Sequence, residues 1–281
     1  MAQTLTQKKV NRIVKEALAQ GRTLSIIFDY DGTLTPIVAQ PEDAILDNEM
    51  LKILKDMEMS EQVKMAVLSG RTSDTLQHFL GELSHTKLVG DHGAEIERRN
   101  TFKAFVSQYL VGLRWLAEKY PGCYLEDKEV ALGVHYRNIA QEAAAEFIAV
   151  FFNWWLLNGE MKLFQVAAGK KVFEIRPSVK SNKGTAVIEL LNSWYDADWM
   201  KKTLPIYFGD DITDEDAFKA LKKYLSSDAV TILVADNPRL TAANYRAPDV
   251  NTIKQILRWI LSLLIFHHQK NENPTHPVNP C

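Results

Sequence analysis

Five short apolar runs stand out along the chain, each of the length of a β-strand. They are LSIIF (24–28), VKMAVL (63–68), TKLVG (86–90), LPIYF (204–208) and AVTILV (229–234). Their apolar residues are continuous rather than alternating, which is typical of strands that are covered on both faces. Segments with helical periodicity separate most of these runs. The pattern therefore predicts an α/β fold with a parallel sheet.

The middle of the chain follows a different pattern, in which a helix and two strands occur twice. A helical stripe of apolar residues extends from Phe102 to Leu116, and two predicted strands follow it, the second ending in ALGVHY. A second apolar helix is predicted over about 141–157, and LFQVA and KVFEIR then flank a GKK turn as a candidate hairpin. We therefore predict that residues 100–178 form an inserted α+β domain, while 1–99 and 179–281 form the core domain.

Composition and charge exclude several classes of partner. The chain has 33 Lys and Arg against 35 Asp and Glu, so it offers no basic surface for nucleic acid and we expect a small-molecule partner. Its two cysteines, Cys123 and Cys281, are too few for a disulfide framework or a zinc site, which fits a cytoplasmic location. The apolar stretch WILSLLIF at 259–266 is too short to span a bilayer, so we expect a core-facing helix and no membrane partner.

Polar motifs follow three of the predicted strands. DYDGT places Asp29 and Asp31 after the first strand, SGR (69–71) follows the second, and GDD (209–211) follows the fourth. Because ligands of open α/β sheets bind at the carboxyl ends of the strands, we expect these motifs to meet in one crevice. Two carboxylates at the end of a buried strand repel each other and lose solvation, so a bound group or a set of donors must offset the cost.

The neighbouring residue types indicate what is bound. A DxD pair alone is weak, because Asp and Gly are common in turns. Ser69 offers a hydroxyl beside Gly70, and Lys183 in NKGTA begins a predicted helix, where its charge and the helix dipole both favour phosphate. The motif GDDITDED adds three carboxylates: Asp210, Asp211 and Asp214. Oxygen ligands with no His or Cys nearby suit Mg2+.

In this order, DYDGT, SGR, KG and GDDxTDED resemble the four motifs of haloacid dehalogenase (HAD)-type phosphatases. The longer forms GKKVFEIRP, NKGTA and GDDITDEDAF resemble the trehalose-6-phosphate phosphatases, and the resemblance covers about residues 22–265. It implies a Rossmann-like HAD core with a parallel sheet and an inserted α+β cap domain of the C2 type. It also implies Mg2+-dependent hydrolysis of trehalose 6-phosphate to trehalose and phosphate, with functional coupling to a trehalose-6-phosphate synthase.

The resemblance further implies catalytic roles at the motif positions. Asp29 is expected to be the nucleophile that forms an aspartyl-phosphate, and Asp31 to be the general acid and base. One Mg2+ is expected on the Asp29 carboxylate, the Asp31 backbone carbonyl and the Asp210 carboxylate. Asp214 is expected to reach the metal through a water molecule.

Phosphate binding is assigned to the second and third motifs. The resemblance implies that Ser69 and Lys183 bind the transferring phosphoryl oxygens and so take part in catalysis, and Gly70 lets the backbone approach them. Arg71 has two readings, a structural ion pair or a substrate contact, and the ion pair is favoured. Asp211 also has two readings, because it either caps the following helix or orients a ligand.

Sugar binding is assigned to the inserted domain. The resemblance favours Glu174 as an acceptor for sugar hydroxyls, and Arg176 shares its strand face because strand side chains repeat every two residues. His135 and Arg137 are expected to share another strand face, and Lys171 lies in the predicted turn. For Glu174 and Arg176, and for Lys171, an ordinary solvated surface is the competing interpretation.

Two other functions stay open at this point. One is a related glycosyl-phosphate phosphatase, acting on mannosyl- or glucosyl-3-phosphoglycerate or on sucrose phosphate. The other is a catalytically silent module that binds a sugar phosphate, against which the intact Asp29, Asp31, Lys183 and Asp210 argue. A dinucleotide-dependent dehydrogenase is disfavoured because no GxGxxG motif follows the first strand.

Overall fold

A computed structural model describes residues 2–127, 131–161, 163–169, 171–178, 182–226 and 228–272. The chain divides into two compact units, one formed by Met1–Gly93 with Asn182–Cys281 and the other by Ala94–Ser181. The sequence predicts that the inserted domain begins at 100, whereas the inserted unit of the structure begins at Ala94. Within the described residues, no helix is both long and apolar enough to cross a membrane.

The described residues form eleven strands and nine α-helices. The strands are β1 (Gln3–Thr4), β2 (Thr23–Phe28), β3 (Val63–Leu68), β4 (Lys87–Val89), β5 (Tyr124–Asp127), β6 (Leu132–His135), β7 (Phe164–Gly169), β8 (Val172–Pro177), β9 (Thr203–Gly209), β10 (Val230–Val234) and β11 (Tyr245–Ala247). The helices are α1 (Gln7–Ala19), α2 (Asn48–Glu58), α3 (Ser73–Leu80), α4 (Ala94–Lys119), α5 (Gln141–Asn158), α6 (Lys183–Tyr195), α7 (Trp199–Lys202), α8 (Asp214–Leu225) and α9 (Val250–Glu272).

The first unit is built on a parallel sheet with the strand order β1-β11-β10-β9-β2-β3-β4. All of its strand pairings are parallel. The five apolar runs of the sequence correspond to β2, β3, β4, β9 and β10, whereas the edge strands β1 and β11 were not predicted. The predicted α/β fold with a parallel sheet and a second, α+β part is confirmed.

Both faces of this sheet are covered, as the continuous apolar runs predict. Leu24, Ile26 and Phe28 of β2 share one core with residues of α1, α2 and α9. On the opposite face, Tyr207 of β9 packs edge-on against Phe218 of α8, with 5.7 Å between the ring centroids. Every residue of β9 and β10 is buried.

The register of the central strands aligns their carboxyl ends. Phe28, the last residue of β2, pairs with Val67 of β3 on one side and with Phe208 of β9 on the other. The next backbone amide, that of Asp29, donates to the Phe208 carbonyl at 2.8 Å. The polar residues that follow β2, β3 and β9 therefore start from one edge of the sheet, where the sequence placed its crevice.

The second unit contains a four-stranded antiparallel sheet with the order β5-β6-β8-β7. Phe173 and Ile175 of β8 are buried in a core with side chains of α4 and α5, and Phe151 of α5 stacks on Phe173 with 4.6 Å between the ring centroids. Glu174 and Arg176 alternate with these two residues, so they lie on the other face of the sheet. One face of this sheet is apolar, and the other carries the polar candidates of β8.

The expected strand face shared by His135 and Arg137 is not present. β6 ends at His135, and Arg137 lies in a turn in which the Ile139 amide donates to the Tyr136 carbonyl at 3.3 Å. His135 keeps its place in the sheet and lies 2.7 Å from the Glu126 carboxylate. The turn begins earlier than the apolar pattern of the sequence indicated.

Candidate active site

A cavity of about 610 Å3 opens at the carboxyl edge of the parallel sheet. Its polar lining consists largely of residues that the sequence singled out: Asp29, Asp31, Ser69, Gly70, Arg71, Lys183, Asp210 and Asp211. All of them belong to the first unit. The loop that follows β2 contributes the apolar side chains of Ile37 and Val38 to the same cavity. The three motifs and the predicted lysine are thus brought together around one space.

Lys183 is fixed at the first residue of α6 by the cap of that helix. The Asn182 side chain accepts a hydrogen bond from the Thr185 amide at 2.9 Å, and the Thr185 hydroxyl accepts one from the Asn182 amide at 3.3 Å. This reciprocal capping box starts the helix at Lys183. The next residue is Gly184, where a Cβ atom would stand 2.5 Å from the Asp216 carbonyl of α8, so the small residue permits close packing of the two helices.

The ammonium of Lys183 bridges two buried carboxylates. Its Nζ lies 2.8 Å from Asp29 Oδ1 and 2.8 Å from Asp214 Oδ1. Burial raises the pKa of Asp29 well above its usual value, although Lys183 opposes that shift. Burial alone would lower the pKa of Lys183, but Asp29 and Asp214 outweigh it, so this pKa lies above the usual value. The lysine therefore stays charged between its two partners.

Asp214 is fully buried, and its carboxylate accepts four hydrogen bonds. Oδ1 accepts from Lys183 Nζ and from the Tyr207 hydroxyl, each at 2.8 Å. Oδ2 accepts from the backbone amides of Asp210 and Asp211, at 3.0 and 3.1 Å. Two bonds to each oxygen fix the orientation of the carboxylate, and Asp214 in turn fixes the backbone that carries Asp210.

The Asp211 carboxylate is bonded to the residues at the start of α8. Its Oδ1 accepts from the Thr213 amide at 2.8 Å, from the Thr213 hydroxyl at 2.7 Å and from the Asp214 amide at 3.2 Å. These bonds satisfy amides at the start of α8, as a capping carboxylate does. They also hold the pKa of Asp211 below its usual value, against the effect of burial.

Arg71 forms the favoured ion pair, and its partner is Asp31. Its Nε and Nη2 atoms donate to the two oxygens of Asp31 at 2.7 Å each, and Nη2 also donates to the Pro41 carbonyl at 2.8 Å. The guanidinium lies over the rings of Tyr30 and Phe79. A bidentate fork of this kind fixes both position and orientation of a carboxylate.

Ser69 is buried at the floor of the cavity. Its amide donates to the Val89 carbonyl of β4 at 3.0 Å, and its Oγ accepts from the Arg71 amide at 3.2 Å. Because the Oγ atom serves as an acceptor there, its hydroxyl proton remains for an anionic group in the cavity.

Three carboxylates of this site lie close together. Oxygens of Asp29, Asp210 and Asp214 lie within 4.8 Å of one another. Lys183 is the one ammonium that forms ion pairs with this trio among the described residues, and it contacts Asp29 and Asp214. Burial raises the pKa of Asp210 to about 6, and Asp214 adds to that shift. A hard divalent cation with oxygen ligands, such as Mg2+, fits this donor set.

The other predicted substrate residues belong to the second unit. Glu174 and Arg176 lie on β8, His135 ends β6, and Arg137 follows it in a turn. Lys171 lies in the turn between β7 and β8 with a positive φ of 66°, and its Nζ stands 5.6 Å from the centre of the Tyr136 ring. Their placement within that unit leaves their substrate role a prediction.

Two residues of the site were missed by the sequence reasoning. Tyr207 donates to Asp214, and its signal was a hydroxyl inside an otherwise apolar strand that leads into GDD. Arg239 donates from Nη2 to the backbone carbonyl of Asp210. It lies in a loop without periodicity, so no pattern of the sequence indicated it.

Gly32 offers a test of the geometry around Asp210. It has a φ of +77°, and a Cβ atom there would collide with the Asp210 carboxylate. Gly21 has a similar φ of +70°, and a Cβ atom there meets no described atom within 4 Å. We expect Gly32→Ala and Gly21→Ala each to lose about 1–2 kcal/mol of unfolding free energy, the cost of a left-handed side chain.

Only Gly32→Ala should also weaken Mg2+ binding, by about 10- to 100-fold, because only this change displaces a candidate ligand. Calorimetric titration of the two variants with Mg2+ measures this difference. Equal Mg2+ affinities in both variants would show that Asp210 does not bind the metal.

Comparison with known proteins agrees with this geometry. The family model described as trehalose-phosphatase matches residues 27–251. Trehalose 6-phosphate phosphatase RA3 of Zea mays is 32% identical over 264 residues, and the match covers 86% of this chain and 71% of that protein. The probable trehalose-phosphate phosphatase 2 of Oryza sativa subsp. japonica is 32% identical over 279 residues, covering 87% and 70%.

A solved structure of a relative has the same fold. Crystal form 3 of Aspergillus fumigatus trehalose-6-phosphate phosphatase matches 94% of this chain and 100% of its own, with a TM-score of 0.60 and 25% identity. The resemblance seen in the motifs is thereby confirmed. The chain belongs to the trehalose-phosphatase family of HAD-type phosphoric monoester hydrolases.

Proposed function

We propose that this chain hydrolyses trehalose 6-phosphate to trehalose and phosphate with Mg2+, through an aspartyl-phosphate on Asp29. The observation that carries the proposal is the buried pair of Lys183 and Asp29, 2.8 Å apart at the wall of a polar cavity. A nucleophilic carboxylate beside an ammonium that binds anions is what phosphoryl transfer requires. The substrate is supported by the names of the relatives, which are trehalose 6-phosphate phosphatases.

In the first half of the reaction, an Asp29 oxygen attacks the phosphorus and the bond from phosphorus to the sugar oxygen breaks. Lys183 has three N–H donors and spends two of them on Asp29 and Asp214, so the third is left for a phosphoryl oxygen. The Ser69 hydroxyl and the amino end of α6 favour the same anion. Mg2+, when bound, would offset the repulsion between the nucleophile and the phosphate.

Asp31 would protonate the departing sugar oxygen and then accept a proton from the water that cleaves the aspartyl-phosphate. Both of its oxygens accept hydrogen bonds from Arg71 in the structure, and this fork orients the carboxylate. The pair must open before Asp31 can carry the proton for the first step. Arg71 thus takes part by holding Asp31 rather than by binding substrate.

The metal would be held by the Asp29 carboxylate, the Asp31 backbone carbonyl and the Asp210 carboxylate. Support comes from the oxygen-only donors and from the closeness of the three carboxylates. Asp214 would act indirectly, by fixing Lys183 and the Asp210 backbone through its four hydrogen bonds.

We assign sugar recognition to the second unit as a cap domain. Glu174 and Arg176 stand on the polar face of its sheet, opposite the apolar face that packs on α4 and α5. His135, Arg137 and Lys171 are the further candidates for this role. The substrate would be supplied by a trehalose-6-phosphate synthase, and a chain with two cysteines suits a cytoplasmic location.

The proposal is tested by phosphate release from a panel of sugar phosphates. Wild type should prefer trehalose 6-phosphate over sucrose phosphate and the glycosyl-3-phosphoglycerates, chelation should stop the reaction, and added Mg2+ should restore it. Asp29→Asn should remove nearly all turnover and leave a folded protein, because an amide matches the carboxylate in shape but is a poor nucleophile.

The outcomes separate the competing functions. A preference for another member of the panel would assign the chain to a related glycosyl-phosphate phosphatase. Binding of sugar phosphate without release would indicate a silent module. Turnover by Asp29→Asn at a rate comparable to wild type would remove the covalent mechanism.

Substitution of Glu174 tests whether the second unit recognises the sugar. A carboxylate that accepts hydrogen bonds from sugar hydroxyls contributes about 1.5–3 kcal/mol for each bond. We expect Glu174→Ala to lower kcat/KM for trehalose 6-phosphate by about 10- to 100-fold, and to change hydrolysis of a small aryl phosphate little. The matched control is Glu142→Ala, which removes an exposed carboxylate from the first turn of α5 in the same unit.

Steady-state kinetics on both substrates decide the role of Glu174. Equal losses on the two substrates would place Glu174 in folding or in the core chemistry. We expect Glu142→Ala to show no loss on either substrate. The same result for Glu174→Ala would show that Glu174 lies on a solvated surface and does not bind the sugar.

A further inference from the structure

Tyr207 is a buried hydroxyl that the proposed chemistry does not use. It lies in the middle of β9, where every residue is buried, and its ring packs against Phe218 of α8. A phenylalanine would fill the same space, and burying a hydroxyl carries a desolvation cost unless a hydrogen bond offsets it. The hydroxyl donates to Asp214 Oδ1 at 2.8 Å, and this hydrogen bond offsets the cost of burying the oxygen atom.

The partner of Tyr207 is the carboxylate that organises the site. Asp214 has four donors, and three of them belong to groups at the cavity: the Lys183 ammonium and the backbone amides of Asp210 and Asp211. Tyr207 is the fourth donor and does not line the cavity. It is therefore the anchor that ties this carboxylate to the rigid sheet.

A movement of Asp214 would change both the phosphate-binding group and the metal-binding group of the site. Its Oδ1 shares the Lys183 ammonium with Asp29, so a rotation of the carboxylate would change the position of the charge that faces the phosphate. Its Oδ2 holds the Asp210 amide, so the same rotation would shift the carboxylate of the metal group. Buried networks of this kind depend on every member being satisfied.

We propose that Tyr207 is a positioning residue of the active site: its hydroxyl fixes Asp214, and through Asp214 it fixes the Lys183 ammonium and the Asp210 ligand. Tyr207 does not touch the substrate. The inference rests on the proposed function for its kinetic part, and on the metal group alone for its binding part.

The test is Tyr207→Phe, with Tyr195→Phe as the matched control. Tyr195 also carries a hydroxyl inside the first unit, 2.7 Å from Thr23 Oγ1 and 3.1 Å from Ser25 Oγ, and no active-site group is bonded to it. Both changes delete one oxygen and its hydrogen bonds. The two variants should therefore lose comparable thermal stability, which removes a general loss of stability as the explanation.

The predicted results differ in function. Tyr207→Phe should lower kcat by about tenfold at saturating Mg2+ with KM for the sugar phosphate unchanged, and should weaken calorimetric Mg2+ binding by about tenfold. Tyr195→Phe should change neither quantity. A p-aminophenylalanine at position 207 keeps a donor at the same place and should recover most of kcat and of the Mg2+ affinity.

Two results would overturn the inference. One is a Tyr207→Phe protein that loses stability like Tyr195→Phe but retains kcat and Mg2+ affinity. The other, which decides the matter if Tyr207→Phe is recovered unfolded, is a folded p-aminophenylalanine variant that has lost both. If wild type itself releases no phosphate from sugar phosphates, the proposed function fails, and the Mg2+ affinities of the variants still decide the role of Tyr207.

Discussion

The ammonium of Lys183 between two buried carboxylates is the interaction on which the site depends. With 2% of its side chain exposed, it bonds Asp29 and Asp214 at 2.8 Å each. Breaking a buried pair by removing one partner typically costs about 3–5 kcal/mol, because an uncompensated charge stays behind. Here one cation serves two carboxylates, and Asp210 adds a third to the group. The cluster is held together by its lysine, and its oxygen ligands suit a hard metal ion.

The scaffold delivers these groups by simple means. Parallel register brings Asp29 and Asp210 to one edge of the sheet, directly after β2 and directly after β9. A capping box starts α6 at Lys183, and the Asp211 carboxylate starts α8 at Asp214. Each charged group thus stands at the end of a regular element, which fixes the position of its backbone. Because strands and helix starts are rigid, the distances within the cluster are set before any substrate arrives.

Much of this arrangement was readable from the sequence, because the central strands are buried on both faces. Continuous apolarity marked β2, β3, β4, β9 and β10, and the motifs at their ends supplied most of the polar lining of the cavity. The edge strands β1 and β11 have only two and three residues and carry polar side chains, so no apolar run indicated them. The start of α4 at Ala94, before its apolar stripe, was missed for the same reason.

The pairings inside the site were harder to predict than its members. The motifs of the sequence indicated Asp31 and Arg71 as site residues but did not predict their contact. The bidentate hydrogen bonds between them depend on the path of the loop after β2. The four donors of Asp214 come from two separate segments, the start of α6 and the stretch 207–211, and the contribution of Tyr207 follows only from which face of β9 it occupies. Periodicity determines which face a residue lies on, whereas hydrogen bonds across the fold depend on tertiary packing.

The most direct test of this account is to trap the reaction intermediate. Wild type mixed with trehalose 6-phosphate and Mg2+ should be quenched in acid within the first turnover, digested and analysed by mass spectrometry. The account predicts a phosphoryl group on Asp29, absent when Mg2+ is chelated. Release of phosphate without any phosphorylated peptide, or a phosphoryl group on a different residue, would contradict it.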